Sequence, residues 1–93
     1  MRKVVVFIGT RDADIVREAI TGSGAGLLAN YSESISRAIT GEYGSMRALD
    51  ERRFEFACDD DTYRVIVGAI KTAVPPYAVS IDSWSMETFA QAH

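Results

Sequence analysis

The segment that most constrains this chain lies near its start: Lys3-Val4-Val5-Val6-Phe7-Ile8, closed by Gly9. Its uninterrupted β-favouring apolar residues read as a strand. Successive side chains of a strand point to opposite faces, so Val4, Val6 and Ile8 face one way and Val5 and Phe7 the other. Such a strand belongs inside a sheet with both faces covered. A chain of 93 residues predicts a single domain, 1–93, with a radius of gyration of about 12 Å. It has little material for a third layer. Cover for the second face is therefore expected from another copy of the chain, or from the tail around Met86 to Phe89 folding back.

A helix is expected after Gly9. Thr10, Asp12 and Asp14 offer caps and negative charge at its positive end. Ile15, Val16, Ala19 and Ile20 supply an apolar stripe, with Arg17 and Glu18 outward, and Gly22, Gly24 and Gly26 end it. A second strand is predicted from Leu27-Leu28 through Tyr31 into the thirties, its polar half reading as an edge. Residues 40–51, with Gly41, Gly44 and Asp50, suggest a long hairpin loop. Strict alternation over Arg53-Phe54-Glu55-Phe56-Ala57-Cys58 marks a third strand with Phe54, Phe56 and Cys58 on one face.

Asp59-Asp60-Asp61-Thr62 opens a second helix with a buried stripe of Tyr63, Ile66, Val67, Ile70 and Val74, and Pro75-Pro76 forbids its continuation. A last strand runs from Tyr77 toward Trp84, followed by a short helix with Met86, Phe89 and Ala90 on one side. The predicted architecture is α+β: a ferredoxin-like βαββαβ sandwich, with an antiparallel four-stranded sheet and two helices on one face.

Composition narrows the function. The net charge of -3 argues against a general nucleic-acid binder. The 47% apolar and 25% charged fractions fit a globular chain, and no apolar run approaches a membrane span. One cysteine and the lack of a secretion signal make the cytoplasm the expected location.

Catalysis has little support. The sole histidine is the terminal His93, Cys58 reads as a buried core residue, and no Cys/His metal-ligand spacing occurs. No catalytic residue, metal ligand or cofactor is predicted. The Gly22-Ser23-Gly24-Ala25-Gly26 run follows a helix and precedes a strand, the wrong polarity for a phosphate loop, so it reads as a helix stop with close packing. The turn with the right polarity, Gly9-Thr10-Arg11, carries one glycine and a weak anion signal. The aspartate run reads as a helix cap rather than a cation site, with Asp60 and Arg64 spaced for an ion pair.

Several residues carry a resemblance. Gly24-Ala25-Gly26, Asn30-Tyr31-Ser32, Gly41-Glu42-Tyr43 and Pro76-Tyr77 occur in the same order in a PII-like domain similar to the one inserted in the NGG-interacting-factor-three family. The ending Pro76-Tyr77-Ala78-Val79-Ser80-Ile81 resembles that of the divalent-cation-tolerance family, which shares the fold. Both resemblances imply a PII-like subunit assembled as a homotrimer with the sheets inward. The former family typically ends His-Pro-Tyr-Glu-Glu-Pro, whereas Pro75, Ala78 and Val79 stand here, and Ser34 takes the place of its usual cysteine.

The resulting expectation is a non-catalytic, trimeric, PII-like binding or regulatory module. Its candidate ligand-binding residues are Asn30, Tyr31, Ser32, Ser34, Arg37, Tyr43 and Tyr77, lining a small-molecule cleft between subunits. Arg11, Arg52 and Arg53 would add positive charge if the fold brings them near. The plainer reading is a solvated strand, with Tyr31 packed at a subunit edge. The alternatives are a divalent-cation-binding or tolerance protein, and an interaction domain that docks onto a separate enzyme chain as its protein partner.

Overall fold

The computed structural model describes residues 1–24, 26–42 and 45–87. Its elements run β1 (Arg2–Gly9), a 3-10 turn (Thr10–Asp12), α1 (Ala13–Ser23), β2 (Ala29–Glu42), β3 (Ser45–Cys58), α2 (Asp60–Ala73), a second 3-10 turn (Pro76–Ala78) and β4 (Val79–Ser85). The strands form one sheet in the order β2-β3-β1-β4, each neighbouring pair antiparallel. The helices pack on one face of it. This is the predicted ferredoxin-like α+β arrangement. Among the described residues no helix is long and apolar enough to cross a membrane.

The core forms where period-2 and period-3.6 stripes meet. Val4, Val6 and Ile8 of β1 and Phe54, Phe56 and Cys58 of β3 present their side chains to the helices. Val16 and Ile20 of α1 and Ile66 and Ile70 of α2 fill the other side, and none of these ten residues is more than 1% exposed. Burial of each large side chain contributes roughly 1.5–3 kcal/mol.

The helix ends follow local chemistry. At the start of α2, Asp59 Oδ1 accepts the Thr62 backbone N–H at 2.7 Å, which confirms the cap. Gly24 ends α1 by donating its N–H to Ile20 O at 2.9 Å. A Cβ there would lie 2.7 Å from Leu28 Cδ2 and 2.9 Å from Ile66 Cδ1, so any larger residue would have to push these side-chain ends aside. Gly26 has φ +75, a left-handed conformation that glycine adopts freely.

Four expectations need correction. Ile15 is half exposed and lies off the α1 stripe, which is Ala13, Val16 and Ile20, because at about 3.6 residues per turn it stands well away from the face those three share. Gly22 lies inside α1 rather than ending it. Asp60 pairs with Arg2 across the fold, while Arg64 takes Asp61 one turn away.

The largest difference is the region expected as a loop. β2 and β3 pair continuously from Ser32↔Glu55 to Glu42↔Ser45, so residues 40–51 are mostly strand. Glycine and aspartate lower strand propensity, but that preference is weak and yields to pairing with a partner strand already in register. β1 stops opposite Glu51, so the six pairs from Arg37↔Asp50 to Glu42↔Ser45 project past the sheet as a two-stranded arm. The radius of gyration, 14.8 Å, exceeds the compact expectation accordingly. Met86 donates its N–H to Met1 O, and the helix expected after Ser85 lies mostly outside the described residues.

Candidate functional site

The segment carrying most candidate residues starts with an irregularity. Between the pairs Ala29↔Ala57 and Ser32↔Glu55, β2 advances three residues while β3 advances two. This β-bulge holds Asn30 at φ 54, a left-handed conformation that asparagine tolerates better than other side-chain-bearing residues. The bulge sets the facing of everything after it. Tyr31, Glu33, Ile35 and Arg37 fall on the helix side, and Ser32, Ser34 and Ser36 on the open side.

On the helix side, the Tyr31 ring lies 6.4 Å from Phe54 and 6.3 Å from Phe56 between centroids. Its hydroxyl is buried and has no hydrogen-bond partner among the described residues. Burial pushes the phenol's pKa up, the Glu33 charge adds to this, and Arg17 opposes it. Glu33 is fixed by α1: Arg17 Nε and Nη2 donate to its carboxylate at 3.1 and 2.5 Å, and Arg17 Nη1 donates to Asp14 at 2.6 Å. This planar, two-pronged contact fastens the edge strand to the helix layer.

The open side is built differently. Ser32 stands opposite Glu55 and Ser34 opposite Arg53. Glu55 receives Lys3 Nζ at 3.2 Å and Arg53 Nη2 at 2.5 Å, which together hold its carboxyl below the ordinary glutamate range. The Arg53 guanidinium lies 6.0 Å over the Phe7 ring. Val5 is 5% exposed and Phe7 half-buried on this side, so part of its apolar surface lies beneath charged side chains of the sheet itself.

The other candidates sit elsewhere. Arg37 lies on the arm, its Nε 3.4 Å from Asp50 Oδ1, with both side chains mostly exposed. Tyr77 is 92% exposed on the turn before β4, whose backbone is fixed by Ala78 N–H donation to Pro75 O at 3.0 Å. That turn adjoins the Ile8 end of β1, opposite the end where Asn30 sits. Tyr43 lies outside the described residues. Within one chain the six described candidates are spread over both sheet faces and both ends. Arg53 stands opposite Ser34, whereas Arg52 lies on the helix side with its Nε buried and without a hydrogen-bond partner among the described residues, and Arg11 is exposed on the first turn.

Sequence reading did not bring out the Lys3–Glu55–Arg53 group or the Arg17–Glu33 clamp. Alternation over 53–58 assigned Arg53 and Glu55 to a common face, but strand order was needed to add Lys3. The Cys58 thiol is pushed up by burial and by the Asp59 and Asp60 charges, the opposite of an activated nucleophile. Among the described residues, no three His, Cys, Asp or Glu side chains group as a metal site. The chemistry this arrangement offers is hydrogen bonding and ion pairing on a polar sheet face.

An antiparallel βαββαβ sheet with both helices on one side defines the ferredoxin-like, PII-like class, and comparison with known proteins agrees. No family model matches the sequence, and no curated protein does. Solved structures match over nearly the whole chain. A Bacillus cereus protein related to NIF3 is 26% identical with a TM-score of 0.74, over 94% of this chain and 25% of its own. The chain thus spans about a quarter of that protein's length.

A second match is the periplasmic divalent cation tolerance protein CutA from Archaeoglobus fulgidus, 11% identical with a TM-score of 0.69, over 98% of this chain and 89% of its own. The PII-like protein CutA from Nostoc is 11% identical with a TM-score of 0.64, over 94% and 82%. The chain's structural neighbours therefore include both groups that the sequence resembles. The CutA matches, at this identity, establish the fold.

Proposed function

We propose that this chain is a non-catalytic, PII-like binding or regulatory module that works as a homotrimer in the cytoplasm. The observation that carries the reading is the open face of the sheet. A central strand bears apolar residues on both sides, yet the two helices cover only one. Phe7, Trp84 and the Lys3–Glu55–Arg53 group make a mixed apolar and charged surface that suits burial against like surfaces. The buried Cys58 accords with a reducing compartment.

The candidate residues do not converge within one chain, so a small-molecule cleft built from them lies between subunits. There Asn30, Tyr31, Ser32, Ser34, Arg37, Tyr43 and Tyr77 would come from more than one copy.

Native mass spectrometry of gently purified protein tests assembly and ligand together. A mass of three chains with a discrete excess is expected; a single-chain mass overturns the reading. Asn30→Gly with Tyr31→Phe keeps the bulge and the aromatic packing while removing both polar groups. It is expected to lose the excess and keep three chains. An unchanged excess rules the site out.

A further inference from the structure

Charges on the open face are unevenly matched. In the four-stranded part of the sheet they are Lys3 of β1, Glu51, Arg53 and Glu55 of β3, and Asp82 of β4. β2 adds only Ser32, Ser34 and Ser36 there. Glu55 takes both cations, Lys3 Nζ at 3.2 Å and Arg53 Nη2 at 2.5 Å. Asp82 and Glu51 have no ion-pair partner among the described residues.

The two differ in place. Glu51 stands opposite Gly9, at the margin where the arm begins. Asp82 stands opposite Val5, midway along β4, with Ser80 and Trp84 beside it on the same face of its strand. Lys3 and Phe7 lie diagonal to it, and Lys3 is already engaged by Glu55. In the single chain Asp82 is exposed, and water solvates its charge. Cover laid over Phe7 and Trp84 takes that water away. An ionised carboxylate removed from water without a countercharge is costly, and such a group takes up a proton instead.

We infer that assembly through the open face is gated by protons, with Asp82 as the group that takes one up. The inference rests on the assembly proposed above and adds its regulation. Symmetry strengthens the effect, because every copy brings the same uncompensated carboxylate to the covered surface and like charges there oppose one another. A carboxyl whose pKa is higher in the assembly than in the free chain binds a proton as the copies join. Assembly then strengthens as pH falls and weakens as pH rises through the raised value. An ordinary aspartate ionises at about 3.9, and loss of water without a countercharge lifts such a group toward the neutral range. Three protons taken up by three copies change the assembly constant by up to about a thousandfold per pH unit, and the half-assembly concentration by up to about thirtyfold.

Sedimentation velocity over a dilution series tests the gate at about pH 5.5 and about pH 8, with circular dichroism at both to confirm folding. For wild type the half-assembly concentration is expected to be at least about tenfold higher at the upper pH. Asp82→Asn keeps the shape and loses the charge, so it is expected to assemble equally at both and as tightly as wild type at the lower pH. Glu18→Gln, an equal change of charge at an exposed position of α1, is expected to keep the wild-type dependence. A wild-type trimer indifferent to pH, or tighter at the upper value, overturns the gate and leaves the trimer standing. Weaker assembly of Asp82→Asn at both values also overturns it, since Asp82 would then pair with a cation of the next copy. Loss of the dependence in Glu18→Gln, or in Glu51→Gln but not in Asp82→Asn, overturns the assignment to Asp82. Wild type as single chains at every pH and concentration overturns the assembly itself.

Discussion

Asn30 shows how one residue can carry two readings. In sequence it is a polar group in a polar stretch, and in the fold it is the left-handed residue of a β-bulge. The bulge turns Tyr31 into the core and the serines outward. A residue with an ordinary Cβ is strained in this conformation by about 1 kcal/mol, and glycine is not. Asn30→Ala is therefore expected to lower the thermal midpoint by roughly 4–8 °C, while Asn30→Gly stays close to wild type. Equal midpoints would remove the backbone account. Asp59 makes a separate prediction, this time in pH. Its carboxylate accepts the Thr62 N–H, which holds its folded pKa below the ordinary aspartate value. A depressed folded pKa gives stability that is present above the unfolded value of about 3.9 and is lost as pH falls through the folded value. Urea midpoints between pH 6 and pH 2, taken at roughly half-unit steps, should fall more steeply for wild type than for Asp59→Asn, which caps without titrating. Parallel curves would contradict the cap's role.

At the scale of elements, Gly22 and Gly24, with only Ser23 between them, should respond to alanine with opposite signs. Gly22 lies in α1 with nothing within 4 Å of a built Cβ, so Gly22→Ala is expected to stabilise by about 0.5–1 kcal/mol. At Gly24 the same methyl meets the side-chain ends of Leu28 and Ile66 below 3.0 Å, and with Ile66 fully buried the expected loss is about 1 kcal/mol. Denaturant midpoints of the two variants check this, and a shared sign would mean that Leu28 and Ile66 give way without cost. The sequence carried much of this layer: the Phe54-Phe56-Cys58 alternation, the α2 stripe and the glycine stop all reappear as packed features. The arm was not legible, because Gly41 and Asp50 look like loop residues until β3 supplies a register. Ile15 misled because adjacent apolar residues point in different directions around a helix, and spacing alone does not say which of Ile15 and Val16 meets the sheet. The candidate site was legible as a list of polar residues but not as a place, since a one-residue bulge decides which of them share a face.

For the whole molecule, the question is whether the open face stays in water. Trp84 answers it directly, being the sole tryptophan of the chain, on the open side of β4 opposite Lys3 and 48% exposed in the single chain. Burial of that face moves an indole from water into an apolar, close-packed setting, so its emission reports cover without an added label. In the assembled protein the emission is expected to be blue-shifted and shielded from acrylamide. Dilution through the dissociation range should move it toward the red, with the quenching constant rising severalfold. Salt adds a second axis. Lys3, Arg53 and Glu55 are partly exposed in the single chain, and ion pairs among exposed charges weaken once the Debye length falls to about 3 Å near 1 M salt. Apolar burial of Phe7 and Trp84 does not weaken in this way. An assembly held mainly by the apolar part of the face should keep its blue-shifted emission at about 1 M salt, whereas one held by charge should lose it. A red emission independent of concentration and salt would mean that the sheet is open to solvent in the working protein. The two-sided first strand would then be a property of the lone subunit, and the trimer proposed from it would fall.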